Sequence, residues 1–380
     1  MDLSFSTEQL QIQSLARELA QKELAPKAAE IDRTSAFPRD SLKKLAELGL
    51  MGIGIPKDFD GSKSDTFSYL LTVEELAKAC ASTALIFTTH VEASSAIVVG
   101  GSEDTKKQYL PSLAKGVKLG SLAATEPGSG TNVFNVEMSA RADGDYYLVN
   151  GTKAFITNGE EADIYVTIVR TNLEQPGPMS QSLLLIEKGT PGFSFGREYR
   201  RMGFHGVSPR ELIFEDCRVP KANLVGPEGG FMMIQGDISR GMMLGAAAIS
   251  LGIAQIALEA TIKYAKERLQ PAQPLNAYQA VKFMLVDMST AVDAARALTY
   301  RAAVALDSAA PGAAIDCFKA KLFTTEMAVD VTNKALQIHG GTGYCCDLPI
   351  ERYYRDARGI TIHTQPTEAL KDLTAMFLLG

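Results

Sequence analysis

Apolar positions recur at near-helical spacing from Ser6 to about Lys115. Leu10, Leu15 and Leu19 follow a start signal in which Ser6/Thr7, with Glu8 and Gln9, offers an N-cap. The same period predicts helices over 41–48, 67–79 and 83–99. Gly49, Gly52, Gly54, Pro56 and Gly61 punctuate a loop after the first of these, and Pro111 and Gly116 close the segment. Between about 118 and 227 the pattern shortens to β-rich runs: 146–149, 164–169, 182–186 and 210–219, the last ended by Pro220. Asp143-Gly144 and Asn150-Gly151 read as hairpin turns between them. From Gly230 onward long helical periodicity returns, predicting helices over 231–268, 278–307 and 313–338, with Gly340 and Gly341 as the stop. Alanine-rich text such as Ala246-Ala247-Ala248 permits close helix packing. The chain thus reads as α+β, with a helical domain at 1–117, a β-domain at 118–227 and a helical bundle at 228–380.

Composition narrows the class. Hydrophobic residues make up 46% and charged residues 22%, ordinary for a folded globular protein. The net charge is -6 with both signs interspersed, so no basic footprint for nucleic acid is expected. The first residues lack the basic and apolar regions of a signal peptide, and a cytoplasmic location is expected. The most apolar stretch, Met242 to Ala257, is interrupted by Ser250 and Gln255 and is too short for a bilayer; it reads as a buried helix. Five cysteines at spacings unlike metal ligands fit a reducing compartment, and the adjacent Cys345 and Cys346 read as bystander thiols. No metal site is expected.

Five motifs point to a particular chemistry. They are Thr125-Glu126-Pro127-Gly128-Ser129-Gly130-Thr131-Asn132, Lys153-Ala154-Phe155-Ile156-Thr157-Asn158, Tyr264-Ala265-Lys266-Glu267-Arg268, Gln337-Ile338-His339-Gly340-Gly341-Thr342-Gly343-Tyr344, and Glu351-Arg352-Tyr353-Tyr354-Arg355-Asp356-Ala357-Arg358. In order and spacing they resemble the TEPGxGSD, KxWITN, YAxxR, QxxGGxGY and ERxYRDAR elements of the acyl-CoA dehydrogenases over essentially the whole chain. A glycine-rich loop with hydroxyl side chains also makes physical sense by itself, because its backbone N–H groups can approach a polar or anionic cofactor closely. Read locally, the same loop is a plain surface turn.

The resemblance implies the family's fold, with an N-terminal helical domain, a central β-domain and a C-terminal four-helix bundle, and also FAD as cofactor, an acyl-CoA substrate, an electron-transfer flavoprotein as electron acceptor, and a homotetramer. Leu122, Ala124, Thr125 and Thr131 would contact flavin or substrate, and Phe155 and Thr157 would sit against the isoalloxazine. Arg268, Gln270 and Tyr278 would meet the ADP half of FAD, with Gln337, Gly340 and Gly341 receiving it from a neighbouring subunit; Pro366 and Glu368 join the cofactor set. Leu85, Thr88, Val91, Asp237 and Arg240 would contact substrate. Asp237 and Arg240 also share a helical face and could simply pair with each other. Proline at 271 departs from the family's RxxFG pattern.

One departure matters most. The family's usual glutamate base lies in an IYEGTSEI motif just after RDAR, where this chain reads Ile362-His363-Thr364-Gln365-Pro366-Thr367-Glu368. Threonine therefore occupies the base position, and its hydroxyl is far too weak a base for a carbon-bound proton. A second branch of the family carries its base in DxER, where this chain has Ser239. Three readings follow. The base has moved, with Glu92 on the 83–99 helix as the candidate and His363 as a weaker one, on a cyclic or unsaturated acyl group such as cyclohexene-carboxyl-CoA, since alicyclic members of the family show a similar arrangement. Alternatively the chain catalyses a non-oxidative, lyase-type reaction, or it binds acyl-CoA without turnover.

Overall fold

The computed structural model describes residues 5–130, 135–175 and 177–379. Its first helix, α1 (Thr7–Leu19), starts where the capping signal puts it: Gln9 N–H donates to Ser6 Oγ at 3.2 Å, and Ser6 N–H donates to Gln9 Oε1 at 2.8 Å. A π-helical turn at Ala20–Leu24 leads into α2 (Ala25–Thr34). Then come α3 (Arg39–Glu47), α4 (Thr66–Ala79), α5 (Ala81–Gly100) and α6 (Glu103–Ala114). Pro111 does not close the segment but lies inside α6. The N–H it lacks would have bonded the carbonyl of Lys107, which is exposed to water.

Eight strands follow: β1 (Gly120–Ala123), β2 (Ser139–Asp143), β3 (Tyr146–Ile156), β4 (Ile164–Arg170), β5 (Gln181–Glu187), β6 (Phe193–Glu198), β7 (Arg210–Pro220) and β8 (Leu224–Val225). They form a sheet in the order β6-β7-β3-β2-β4-β5-β8, with β1 parallel to β4. Asp143-Gly144 turns the β2–β3 hairpin, with Gly144 at φ +57°. Asn150-Gly151 makes no turn. Strand β3 runs through it, and the register against β7 slips between Val149 and Gly151. Gly151 has φ +142°, and a Cβ there would come within 2.9 Å of Met138 Cα, so the glycine serves a bulge and a close approach.

The C-terminal part is three long helices, α7 (Phe231–Glu267), α8 (Gln279–Asp307) and α9 (Ala313–Tyr344), closed by the shorter α10 (Ile350–Ile360) and α11 (Thr367–Leu379). The apolar stretch at 242–257 is only the middle of α7. At 37 residues that helix is long enough to cross a membrane, as is α5. Burial, not shortness, marks both as core helices: 78% of each apolar window is inside the fold. Gly340 breaks α9 at φ +60°, ψ -143°, and helix resumes to Tyr344. One core joins Leu71 and Phe87 of the N-terminal helices to Leu244 and Val331 of the C-terminal ones. A second core packs Ala93 and Ile97 of α5 against Val166, Leu185 and Phe231.

Candidate active site

Where α5, α7, the edge of the sheet and the α10–α11 loop converge, they enclose a cavity of about 660 Å³. One wall comes from the β-domain. Leu122, Ala124, Thr125, Gly130, Phe155 and Thr157 line it. Behind it, Glu126 accepts from Lys153 Nζ at 2.8 Å, from Glu137 N–H at 2.6 Å and from Met138 N–H at 3.1 Å, while Lys153 also donates to Ala124 O at 3.0 Å. This buried strut fixes the glycine-rich loop to β3. Phe155 is 60% exposed at φ +57° and stacks on Tyr199 with ring centres 4.0 Å apart. Thr131 lies outside the described residues.

The second wall is α5. Leu85, Thr89 and Glu92, at i, i+4 and i+7, form one stripe along the cavity. Thr88 and Val91 fall off that stripe and face the core, Thr88 Oγ1 donating to Leu85 O at 2.9 Å. The Glu92 carboxyl is buried and has no hydrogen-bond or ion-pair partner among the described residues; loss of water raises its pKa to about 8. His90, two residues away, has a structural job: its Nδ1 accepts from Gly120 N–H at 3.1 Å and its Nε2 faces Met51 O at 3.2 Å. Burial lowers its pKa to about 4, so the ring is neutral.

The third wall is α7, where Gln235, Ile238, Ser239 and Met242 line the cavity. Asp237 and Arg240 do not. They pair with each other one helical turn apart, and Gln235 Nε2 donates to Ser239 Oγ at 2.7 Å on the face they leave free.

On the fourth wall, the strip from Arg201 to Phe204 had no signal in the sequence beyond the RDAR block that holds it. Arg201, Met202, Gly203 and Phe204 reach the cavity on a loop held by α10: Asp356 accepts from Phe204 N–H at 2.5 Å, and Arg355 donates to Met202 O at 3.1 Å and to Asp32 on α2 at 2.6 Å. Burial pushes the Asp356 carboxyl up to about 6 and Arg201 down to about 10. Beside this loop Ile362, His363, Thr364, Gln365 and Pro366 complete the lining. Burial, and then Lys321, lower the His363 pKa to about 4, and its Nε2 is buried without a partner among the described residues. Thr364 has φ +70°, an unusual conformation for a β-branched residue. Glu368 is exposed on α11 and does not line the cavity, so no carboxylate from that loop replaces the missing one.

The remaining expected residues cluster elsewhere. Tyr278 Oη donates to Gln270 O, and Leu275 N–H donates to Arg268 O at 2.9 Å, closing the loop between α7 and α8. Tyr264 stacks on His339 at 4.2 Å, which brings that end of α7 beside the end of α9 carrying Gln337, Gly340 and Gly341. None of these six lines the cavity within one chain.

Comparison with known proteins fits this architecture. Residues 6–117, 121–217 and 229–379 match the N-terminal, middle and C-terminal domain models of acyl-CoA dehydrogenase. The chain is 42% identical to an acryloyl-CoA reductase (NADH) of Anaerotignum propionicum over 99% of its own length and 95% of the relative's. The structure of butyryl-CoA dehydrogenase from Megasphaera elsdenii superposes with a TM-score of 0.97 at 35% identity, covering both chains completely. A chain from a study of the electron transferring flavoprotein of Acidaminococcus fermentans does so with a TM-score of 0.97 at 39% identity, again over both full lengths.

Proposed function

The chain belongs to the acyl-CoA dehydrogenase family, and on that premise we propose that Glu92 is the base with which it dehydrogenates a cyclic, already unsaturated acyl-CoA. It is an FAD-dependent oxidoreductase acting on the CH–CH bond of acyl-CoA thioesters. One observation carries the choice of base. Residue 364 bears no carboxyl, while a buried carboxyl with no partner among the described residues stands on the α5 wall of the same cavity.

The residues present fit the cofactor. A large aromatic ring held 60% exposed in a left-handed backbone conformation, as Phe155 is, suits a surface that a planar group covers. Leu122, Ala124, Thr125, Phe155 and Thr157 would hold the flavin. Arg268, Gln270 and Tyr278 of one copy, with Gln337, Gly340 and Gly341 of another in a homotetramer, would hold its ADP half. FAD supplies the acceptor for the departing hydride.

The proton is the protein's task. In a saturated thioester the acidic hydrogen is on the α-carbon, which needs a base at residue 364. In an α,β-unsaturated thioester the acidic hydrogen moves to the γ-carbon, because its removal gives a conjugated dienolate. Glu92 would take that proton on a carboxylate oxygen. The electron pair enters the dienolate, a hydride leaves the other β-carbon, and one new C=C bond results. A ring supplies both carbons in a compact shape. Burial suits Glu92 to the work, because a carboxylate whose pKa approaches neutrality is a stronger base than one in water. An electron-transfer flavoprotein would then carry the electrons away, a reading supported by the similarity to the Acidaminococcus chain.

The test is anaerobic flavin bleaching by cyclohex-1-ene-carboxyl-CoA beside butyryl-CoA. Bleaching by the cyclic thioester, lost in Glu92→Gln and kept in His363→Gln, is the expected outcome. Bleaching by butyryl-CoA that survives Glu92→Gln, or product formed while the flavin stays oxidised, would overturn the assignment.

A further inference from the structure

Lys321 is fully buried on α9 and meets no carboxylate at ion-pair distance among the described residues. Its Nζ donates instead to Thr361 O at 3.4 Å and to Gln365 O. Burying an ammonium is unfavourable unless something specific receives it. Here the receivers are the two carbonyls that bracket the turn 361–365 at the cavity wall.

That turn is strained at its centre. Gln365 N–H donates to His363 O at 2.9 Å across Thr364, whose φ is +70°. A hydrogen bond from residue i+2 back to i around a positive φ is the rarer, strained hand of γ-turn, and a β-branched residue resists it further. The peptide joining His363 to Thr364 is trans, so its N–H points away from the direction of its carbonyl. With the carbonyl engaged inside the turn, the Thr364 N–H points out of it and has no acceptor among the described residues. The start of α11 is anchored separately, by Thr367 Oγ1 donating to Glu326 at 2.6 Å, so Lys321 is not needed to dock that helix.

We infer that Lys321 is a positioning residue for the thioester: by gripping Thr361 O and Gln365 O it holds the strained turn closed and keeps the Thr364 N–H free to donate to the thioester carbonyl oxygen. The inference rests on acyl-CoA turnover but not on which group is the base. It also explains how residue 364 can lose its carboxylate and still serve the reaction, since a backbone donor needs no particular side chain.

The test uses FAD-loaded enzyme saturated with benzoyl-CoA carrying ¹³C at the thioester carbonyl, a cyclic probe with no saturated carbon in its acyl group to deprotonate. Isotope-edited infrared difference spectra report how far the bound carbonyl stretch moves below its value in water. Lys321→Met should lose at least roughly half of that displacement and lower kcat about tenfold, part of the 10²–10³ that a lost oxyanion donor costs, with KM changed less than about twofold. If that variant is not recovered with FAD, Lys321→Leu takes its place, because it likewise carries no donor for either carbonyl. Glu92→Gln should keep the full displacement while losing turnover, which separates this inference from the choice of base. An unchanged carbonyl stretch in the recovered Lys321 variant would overturn it.

Discussion

Glu126 and Glu92 are both carboxyl groups shut inside the fold beside one cavity, and they are treated in opposite ways. Glu126 receives an ammonium and two backbone N–H groups, every donor within 3.1 Å. Glu92 receives nothing from the described residues, and burial alone raises its pKa to about 8. The first arrangement spends the charge on holding a loop in place. The second leaves basicity unspent, at a cost to stability that only chemistry would justify. A buried acid is therefore better judged by its partners than by its depth.

The sharpest break of this contrast removes the idle carboxyl. Glu92→Gln should lower kcat on the cyclic substrate by about 10²–10⁴-fold while leaving FAD content intact, measured by stopped-flow flavin reduction. Glu126→Gln should do the reverse. Stranding Lys153 in the core should cost about 3–5 kcal/mol in urea unfolding and reduce bound FAD, because the glycine-rich loop loses its anchor. Next comes pH. Glu92 is active when deprotonated, so kcat/KM should rise about tenfold per pH unit and level off near pH 8, the value its burial sets. Stability runs the other way: the native state holds this proton more tightly than the unfolded chain. The contribution of Glu92 to stability should therefore decline as pH rises from the ordinary 4.5 toward 8, read as the difference between wild type and Glu92→Gln at each pH, since other buried groups titrate in both proteins. The smallest effect concerns the loop where a carboxylate is missing. Thr364→Asn, which tolerates a positive φ, should raise the unfolding free energy by about 0.5–1 kcal/mol in the same urea titration.

Much of the fold was legible because each segment's period is consistent over many residues, and the Ser6 cap and the Asp143-Gly144 turn act locally. The misreadings came where one local signal has two uses. Asn-Gly frees the backbone for a bulge as readily as for a turn, and proline late in a helix costs little when the residue that loses its donor lies at the surface, as Lys107 does. Within the site, Asp237 and Arg240 illustrate the same ambiguity, since three-residue spacing fits a self-contained pair as well as two substrate contacts. Lys321 was invisible for a different reason. A lysine amid helical text reads as a solvated residue, and only the packing of α9 under a loop forty residues away makes it a buried donor. The Arg201–Phe204 strip likewise reaches the cavity through contacts with α10, a relation that no periodicity encodes.

The hydrogen bonds of His90 carry a consequence for dissecting the chain. Its uncharged ring links the segment around Met51 to the first strand, and Asn158 Nδ2 adds bonds to Ile86 O at 3.2 Å and Gly120 O at 3.3 Å. The helix bearing Glu92 is thus riveted to the sheet at two successive turns of one face, through Ile86 and His90. An excised N-terminal fragment would leave those rivets empty, and a chimaera that swaps the sheet for a relative's would have to bring matching ones.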